Sequence, residues 1–140
     1  MRTAIDTNII SALWSREQMA REVSRWLESA KRDGGLMIAA PVYAELLAHP
    51  QASEKFVNDF LADTGIAIDF ELQRASWLEA ARRFAGYANR RRESGGQSPK
   101  RLLVDFLIGA HALLSADRLL TLDPGRYRQD FPELRLLVNQ

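Results

Sequence analysis

The feature that most constrains this chain is the run at 102–114, apolar almost throughout yet carrying Asp105 and His111. Read as a helix it is apolar nearly all round, and such a helix must be covered on every side. It is shorter than the roughly 20 residues a membrane span requires, so the chain itself has to supply the cover. Short apolar runs at 2–5, 36–39, 65–68, 119–122 and 134–138 read as strands. Helical patterns lie between them, at 9–14, 17–31, 41–48 and 53–62, then from Asp69 into an arginine-rich stretch, then at 102–115. Short apolar strands alternating with helices predict an α/β fold with a central, mainly parallel sheet, in a single domain spanning 1–140. Ser53 and Asp69 are expected to cap the helices that follow them. The helix after Asp69 should turn Leu72, Ala75, Leu78, Ala81, Ala85 and Ala88 inward and break at Ser94-Gly95-Gly96, with 97–100 as a loop.

Composition narrows the function. The chain has no cysteine, which excludes disulfides and thiolate zinc sites. An acid at position 6 is incompatible with a signal-peptide core, and a soluble, cytoplasmic protein with no membrane association is expected. Net charge is +1, but it is unevenly spread. Residues 74–101 hold eight basic side chains against two acidic ones, and the remainder holds eleven against sixteen. Arginine outnumbers lysine 16 to 3, and guanidinium is the better bidentate phosphate ligand. The stretch reads either as a solvated helix end or as a phosphate-attracting arm.

In an open parallel sheet, ligands bind beyond the carboxyl ends of the strands. Asp6 directly follows the first predicted strand and Asp123 the fourth. Glu45 lies one turn into the helix after the second strand, and Asp105 near the start of the buried helix. All four can therefore reach one edge. Each also has a plainer reading: a turn or cap for Asp6 and Asp123, a surface position for Glu45, and pairing with Arg101 for Asp105. Grouped carboxylates need a cation among them, and hard oxygen donors select Mg²⁺ or Mn²⁺. Such an ion can polarise a phosphodiester and activate a water. His49 reads as a helix-end residue. His111 is about 240° round the helix from Asp105, and reads as a core or interface residue. No Walker-type phosphate loop is present.

Four segments carry a family resemblance: Ile5-Asp6-Thr7-Asn8, Pro41-Val42-Tyr43-Ala44-Glu45-Leu46, Asp105-Phe106-Leu107-Ile108-Gly109-Ala110-His111-Ala112 and Leu120-Thr121-Leu122-Asp123. In this order and spacing the chain resembles PIN-domain ribonucleases, specifically VapC-type toxins of toxin–antitoxin pairs. The resemblance implies a PIN-like fold with four or five strands and Mg²⁺- or Mn²⁺-dependent endonucleolytic cleavage of tRNA, rRNA or mRNA. It implies a homodimer and a small antitoxin protein that blocks the acidic groove. Asp6, Glu45 and Asp105 match the family's main metal-site acids, and Asp123 its more variable fourth, with Asp117 as the other candidate for that place. Thr7, Asn8 and Thr121 match supporting polar positions. Arg90, Arg91, Arg92 and Lys100 are the candidate RNA guides. Trp14 and Trp26, on the two N-terminal helices, are candidates for the antitoxin groove, although they and Trp77 also suit a core.

A PIN-like module that binds RNA without cutting it stays open, although retention of all four acids argues against it. A phosphatase of the haloacid-dehalogenase type would want a second Asp at position 8, where the chain has Asn. A response-regulator receiver would need a lysine after a late strand, and Lys31, Lys55 and Lys100 are all elsewhere.

Overall fold

The computed structural model describes residues 1–16, 18–95 and 102–137. Among the described residues, five strands make one sheet: β1 (Thr3–Ile5), β2 (Leu36–Ala39), β3 (Ile66–Asp69), β4 (Arg118–Leu120) and β5 (Leu136–Leu137). Their order is β3-β2-β1-β4-β5 and every pairing is parallel. Seven helices surround it among the described residues: α1 (Thr7–Trp14), α2 (Ala20–Asp33), α3 (Ala40–Leu47), α4 (Glu54–Thr64), α5 (Arg74–Glu93), α6 (Leu103–Ser115) and α7 (Gly125–Arg128). The predicted α/β class with a parallel sheet is the class observed. No helix among the described residues is long and apolar enough to cross a membrane.

The strand order creates a site by topology alone. From β1 the chain builds outward through β2 and β3, then returns to the other side of β1 for β4 and β5. The connections leaving β1 and β4 therefore diverge and open a crevice at their carboxyl ends, where α/β folds bind ligands. β1 and β2 are buried at every position, which is why they read as unbroken apolar runs rather than alternating ones.

α6 is the central helix, buried continuously from Asp105 to Ala112. α5 packs on it through Phe84 and Tyr87, whose rings lie 5.2 and 5.6 Å from that of Phe106. The predicted inward positions Leu72 and Ala88 do pack inward, but the rest of the buried face of α5 differs from the predicted one. Ser76, Ala80 and Ala88 are buried, whereas Ala75, Leu78, Ala81 and Ala85 are exposed. Alanine is tolerated on either face, and the aromatic pair decides which side turns in. Trp77 faces outward, 47% exposed, so it is not the core residue expected.

Asp69 does not cap α5 either. It ends β3, and its Oδ2 meets Nε2 of the buried His111 at 3.0 Å, while Gln73 sits at the helix N-cap. Ser53 does cap α4, accepting from the Phe56 N–H. β5 is shorter than predicted and α7 was not anticipated. The predicted loop at 97–100, the helix start at Glu17 and the end of the last strand at Val138 lie outside the described residues.

Gly109 marks the tightest approach in this core. A Cβ there would stand 2.6 Å from the Phe131 ring. That ring is fully buried, with Phe106 and Tyr127 beside it and the Arg83 guanidinium 4.8 Å from its centroid, so it has nowhere to move. Gly109→Ala is expected to lose about 1–3 kcal/mol through overpacking, despite alanine's better helix propensity. Gly35→Ala, where a Cβ meets open space, should stay within about 0.5 kcal/mol of wild type. Urea denaturation of the two variants checks both.

Candidate active site

Asp6 is the first residue past β1, and its N–H continues the ladder by donating to the Leu120 carbonyl at 3.0 Å. Its extended backbone makes it the N-cap of α1, with Oδ1 accepting from the Thr7 N–H at 2.8 Å. Oδ2 accepts from the hydroxyls of Thr121 (2.8 Å) and Tyr127 (2.9 Å) and, at 3.4 Å, from the Asn8 amide. The residue is 2% exposed. Burial raises its carboxyl pKa above the ordinary aspartate value, against the opposing pull of Thr121, Tyr127, Arg126 and the Thr7 N–H. Burial, then the charge and hydrogen bond of Asp6, push the Tyr127 phenol far up, so that hydroxyl serves Asp6 as a fixed donor.

Asp105 lies in the first turn of α6, where the helix dipole favours an acid. Its cation is Arg126, whose Nη1 stands 3.3 Å from Oδ1. Arg101, the partner expected from sequence, lies outside the described residues. The Arg126 Nε stands 3.3 Å from Asp123 Oδ2, so one guanidinium bridges two acids. Burial works against the guanidinium charge, but the fields of Asp105, Asp123 and Asp6 outweigh it and hold its pKa above the usual arginine value.

Asp123 does not directly follow its strand. β4 ends at Leu120, and a short clamp intervenes. Asn8 accepts from the Leu122 N–H at 3.1 Å, and Thr121 Oγ1 accepts from the Asp123 N–H at 3.0 Å. Thr7 turns its hydroxyl to Glu45 Oε1 at 2.6 Å, which ties α3 to the start of α1. Asp117 lies at the opposite edge of the sheet, accepting from the Arg2 N–H just before β1, and is removed from consideration as the fourth acid.

Hydrogen bonds and charge link the four acids as two groups: Asp6, Asp105 and Asp123 about Arg126, and Glu45 held by Thr7, the residue after Asp6. Among the described residues, no three acids or histidines stand close enough together to coordinate one ion. Arg126 and Tyr127 are the participants that the sequence reading missed. The available signal was the Asp-Pro start of α7, a turn initiator, with Arg126 three residues past Asp123, on the same side of a helical turn.

The other candidates lie apart. Arg90 forms an ion pair with Asp130, tying the end of α5 to the segment after α7. Arg92 donates to Asn89. Arg91 lies in the last turn of α5, and Lys100 lies outside the described residues. Trp14 borders a cleft of about 460 Å³ between α1, α2 and α4, with Leu13, Leu27 and Phe60, and its buried Nε1–H has no hydrogen-bond partner among the described residues. Trp26 is half-buried against the core and is not among the residues lining that cleft.

Comparison with protein families matches the PIN domain model over residues 3–132. The chain belongs to the PIN-domain family. Comparison with curated protein sequences finds no match. Solved structures share the fold at low identity. VapBC2 from Rickettsia felis, bound to a DNA fragment from its promoter, aligns at 20% identity and TM-score 0.64 over 100% of both chains. VapBC-1 from nontypeable Haemophilus influenzae aligns at 20% and 0.67 over 99% of this chain and 98% of the other. FitAcB from Neisseria gonorrhoeae aligns at 20% and 0.61 over 96% of each.

PIN-domain nucleases generally use divalent metal ions. The donor set fits such an ion in kind, with Asp105 and Asp123 already drawn to one cation, Arg126, although no third ligand among the described residues stands close enough to complete a group; a divalent ion such as Mg²⁺ is commonly held by one or two carboxylates and water. Asp6 also gives a test independent of metal. Its raised pKa means the folded protein holds a proton that the unfolded chain releases near the model value of 3.8. Stability from this residue is therefore complete below that pH and falls as pH rises through the folded pKa. Asp6→Asn has no carboxyl to ionise, so its metal-free Tm relative to wild type is expected to shift in the variant's favour as pH rises from about 3 to 7, as differential scanning calorimetry across that range would show.

Proposed function

We propose that this PIN-domain protein is a metal-dependent endoribonuclease acting as the toxin of a toxin–antitoxin pair. The observation that carries the reading is the buried Asp6 at the switch point, with Asp105 and Asp123 gathered about one cation beside it. When bound, Mg²⁺ or Mn²⁺ would supply Lewis-acid activation of water and of the phosphodiester. Asp6 and Asp105 would be its principal holders, with Glu45 and Asp123 adding charge.

The chain's own residues supply the rest. Thr121, Tyr127 and the Thr7 N–H hold the Asp6 carboxylate in one orientation, and each is a neutral donor that leaves its charge intact. Thr7 holds the Glu45 carboxylate of α3 beside the start of α1, and Asn8 holds the 121–123 segment in place. Fixed carboxylates of this kind need no reorganisation when charge develops on a phosphate. Arg91, Arg92 and Lys100 would contribute to the positive field that draws in RNA, with Arg90 adding its charge from its pair with Asp130.

The likeness to VapBC and FitAcB structures supports an antitoxin partner. The apolar cleft beside Trp14 suits one helix of such a partner. A homodimer is part of the same reading, and exposed Phe70, Trp77 and Leu78 at the approach to α5 offer an apolar surface for it.

The deciding experiment is cleavage of total cellular RNA by purified protein, with ends mapped, in Mg²⁺, in Mn²⁺ and in chelator. Cleavage in metal, its loss in chelator, and its loss in each of Asp6→Ala and Asp105→Ala are expected. RNA binding by wild type without cleavage in either metal would favour the non-cutting module instead.

A further inference from the structure

We propose that Arg126 is a resident counter-ion that occupies the metal's place and must swing out before a divalent cation can bind. The inference rests on the metal-dependent reading above and deepens it by naming what keeps the site closed to metal. One guanidinium spans Asp105 and Asp123 through different nitrogens, both at 3.3 Å. Those are loose contacts, since charge-assisted N–H···O bonds ordinarily close to about 2.7–2.9 Å. Arg83 shows what a structural arginine looks like in the same fold. It is 19% exposed and gripped at 2.8 and 2.7 Å by Glu79 and Glu133. Arg126 is 37% exposed, against 12% for the Asp105 it pairs with, so its path to water is open. It also sits on α7, a single helical turn.

Asp6 completes the arrangement. It is bonded by N–H and O–H groups that are neutral, so the positive charge it feels from Arg126 comes through space. A divalent ion bound between these acids would meet the guanidinium at close range, and two like charges cannot share that space at low cost. Metal binding and the Arg126 bridge are therefore alternatives. The bridge neutralises the acids while the ion is absent, and it sets the metal concentration needed to load the site.

Metal-free protein titrated with Mn²⁺, with free Mn²⁺ counted by its EPR signal, tests this. Part-exposed pairs are each worth a few-fold in an equilibrium constant, so losing two amounts to about tenfold. Arg126→Gln should bind Mn²⁺ about tenfold more tightly than wild type, and its metal-free form should melt lower. Equal or weaker Mn²⁺ binding by Arg126→Gln overturns the inference and leaves the metal-dependent reading standing. No Mn²⁺ binding by either protein overturns both. Wild type provides a check that does not depend on the variant folding. The Arg126 Nε–H NMR resonance should move to a solvent-exposed position on saturation with diamagnetic Mg²⁺, and an unmoved resonance at saturation overturns the proposal.

Discussion

A carboxylate nearly sealed from water sits where the sheet reverses its direction of growth, and the local structure is arranged to tolerate it. A buried ionised acid is costly unless hydrogen bonds or charges compensate. Asp6 draws its compensation from three places: the first turn of α1, the segment after β4, and α7. Those bonds do more than satisfy one side chain. They pin α7 and the 121–123 clamp against the end of β1, and so deliver Arg126 and Asp123 to the crevice. Neutralising Asp6 would relieve a local cost and at the same time remove the reason these segments meet.

The same balance extends outward. Asp105 and Asp123 share a single guanidinium, so the site carries more negative than positive charge as it stands. An excess of this kind costs stability that burying apolar residues elsewhere must offset, and the layers around α6 supply it. Phe106, Tyr127 and Phe131 are fully buried and lie directly behind the polar crevice. Tyr127 belongs to both sets, with its ring in the core and its hydroxyl on Asp6. Core and site therefore share a wall.

Much of this was legible in the sequence, for identifiable reasons. Strands buried on both faces announce themselves as apolar runs, so 36–39 was read to the residue. An acid straight after the first such run is placed by topology, and Asp6 followed from that. The inward face of α5 was not legible because alanine carries little directional information, whereas Phe84 and Tyr87 did the packing. Asp69 looked like a cap because a distant buried histidine, His111, is invisible as a partner until the chain folds. Arg126 was missed because a single helical turn has no periodicity to read, and because its partner Asp105 lies 21 positions away.

The bonds that seal Asp6 join position 6 to positions 121 and 127, separations of 115 and 121 residues. A growing polypeptide emerging from the ribosome carries Asp6 well before the hydroxyls that orient it. Until residue 127 is free to fold, the crevice has one wall missing. A site built this way cannot close until the 121 positions between Asp6 and Tyr127 have been spanned.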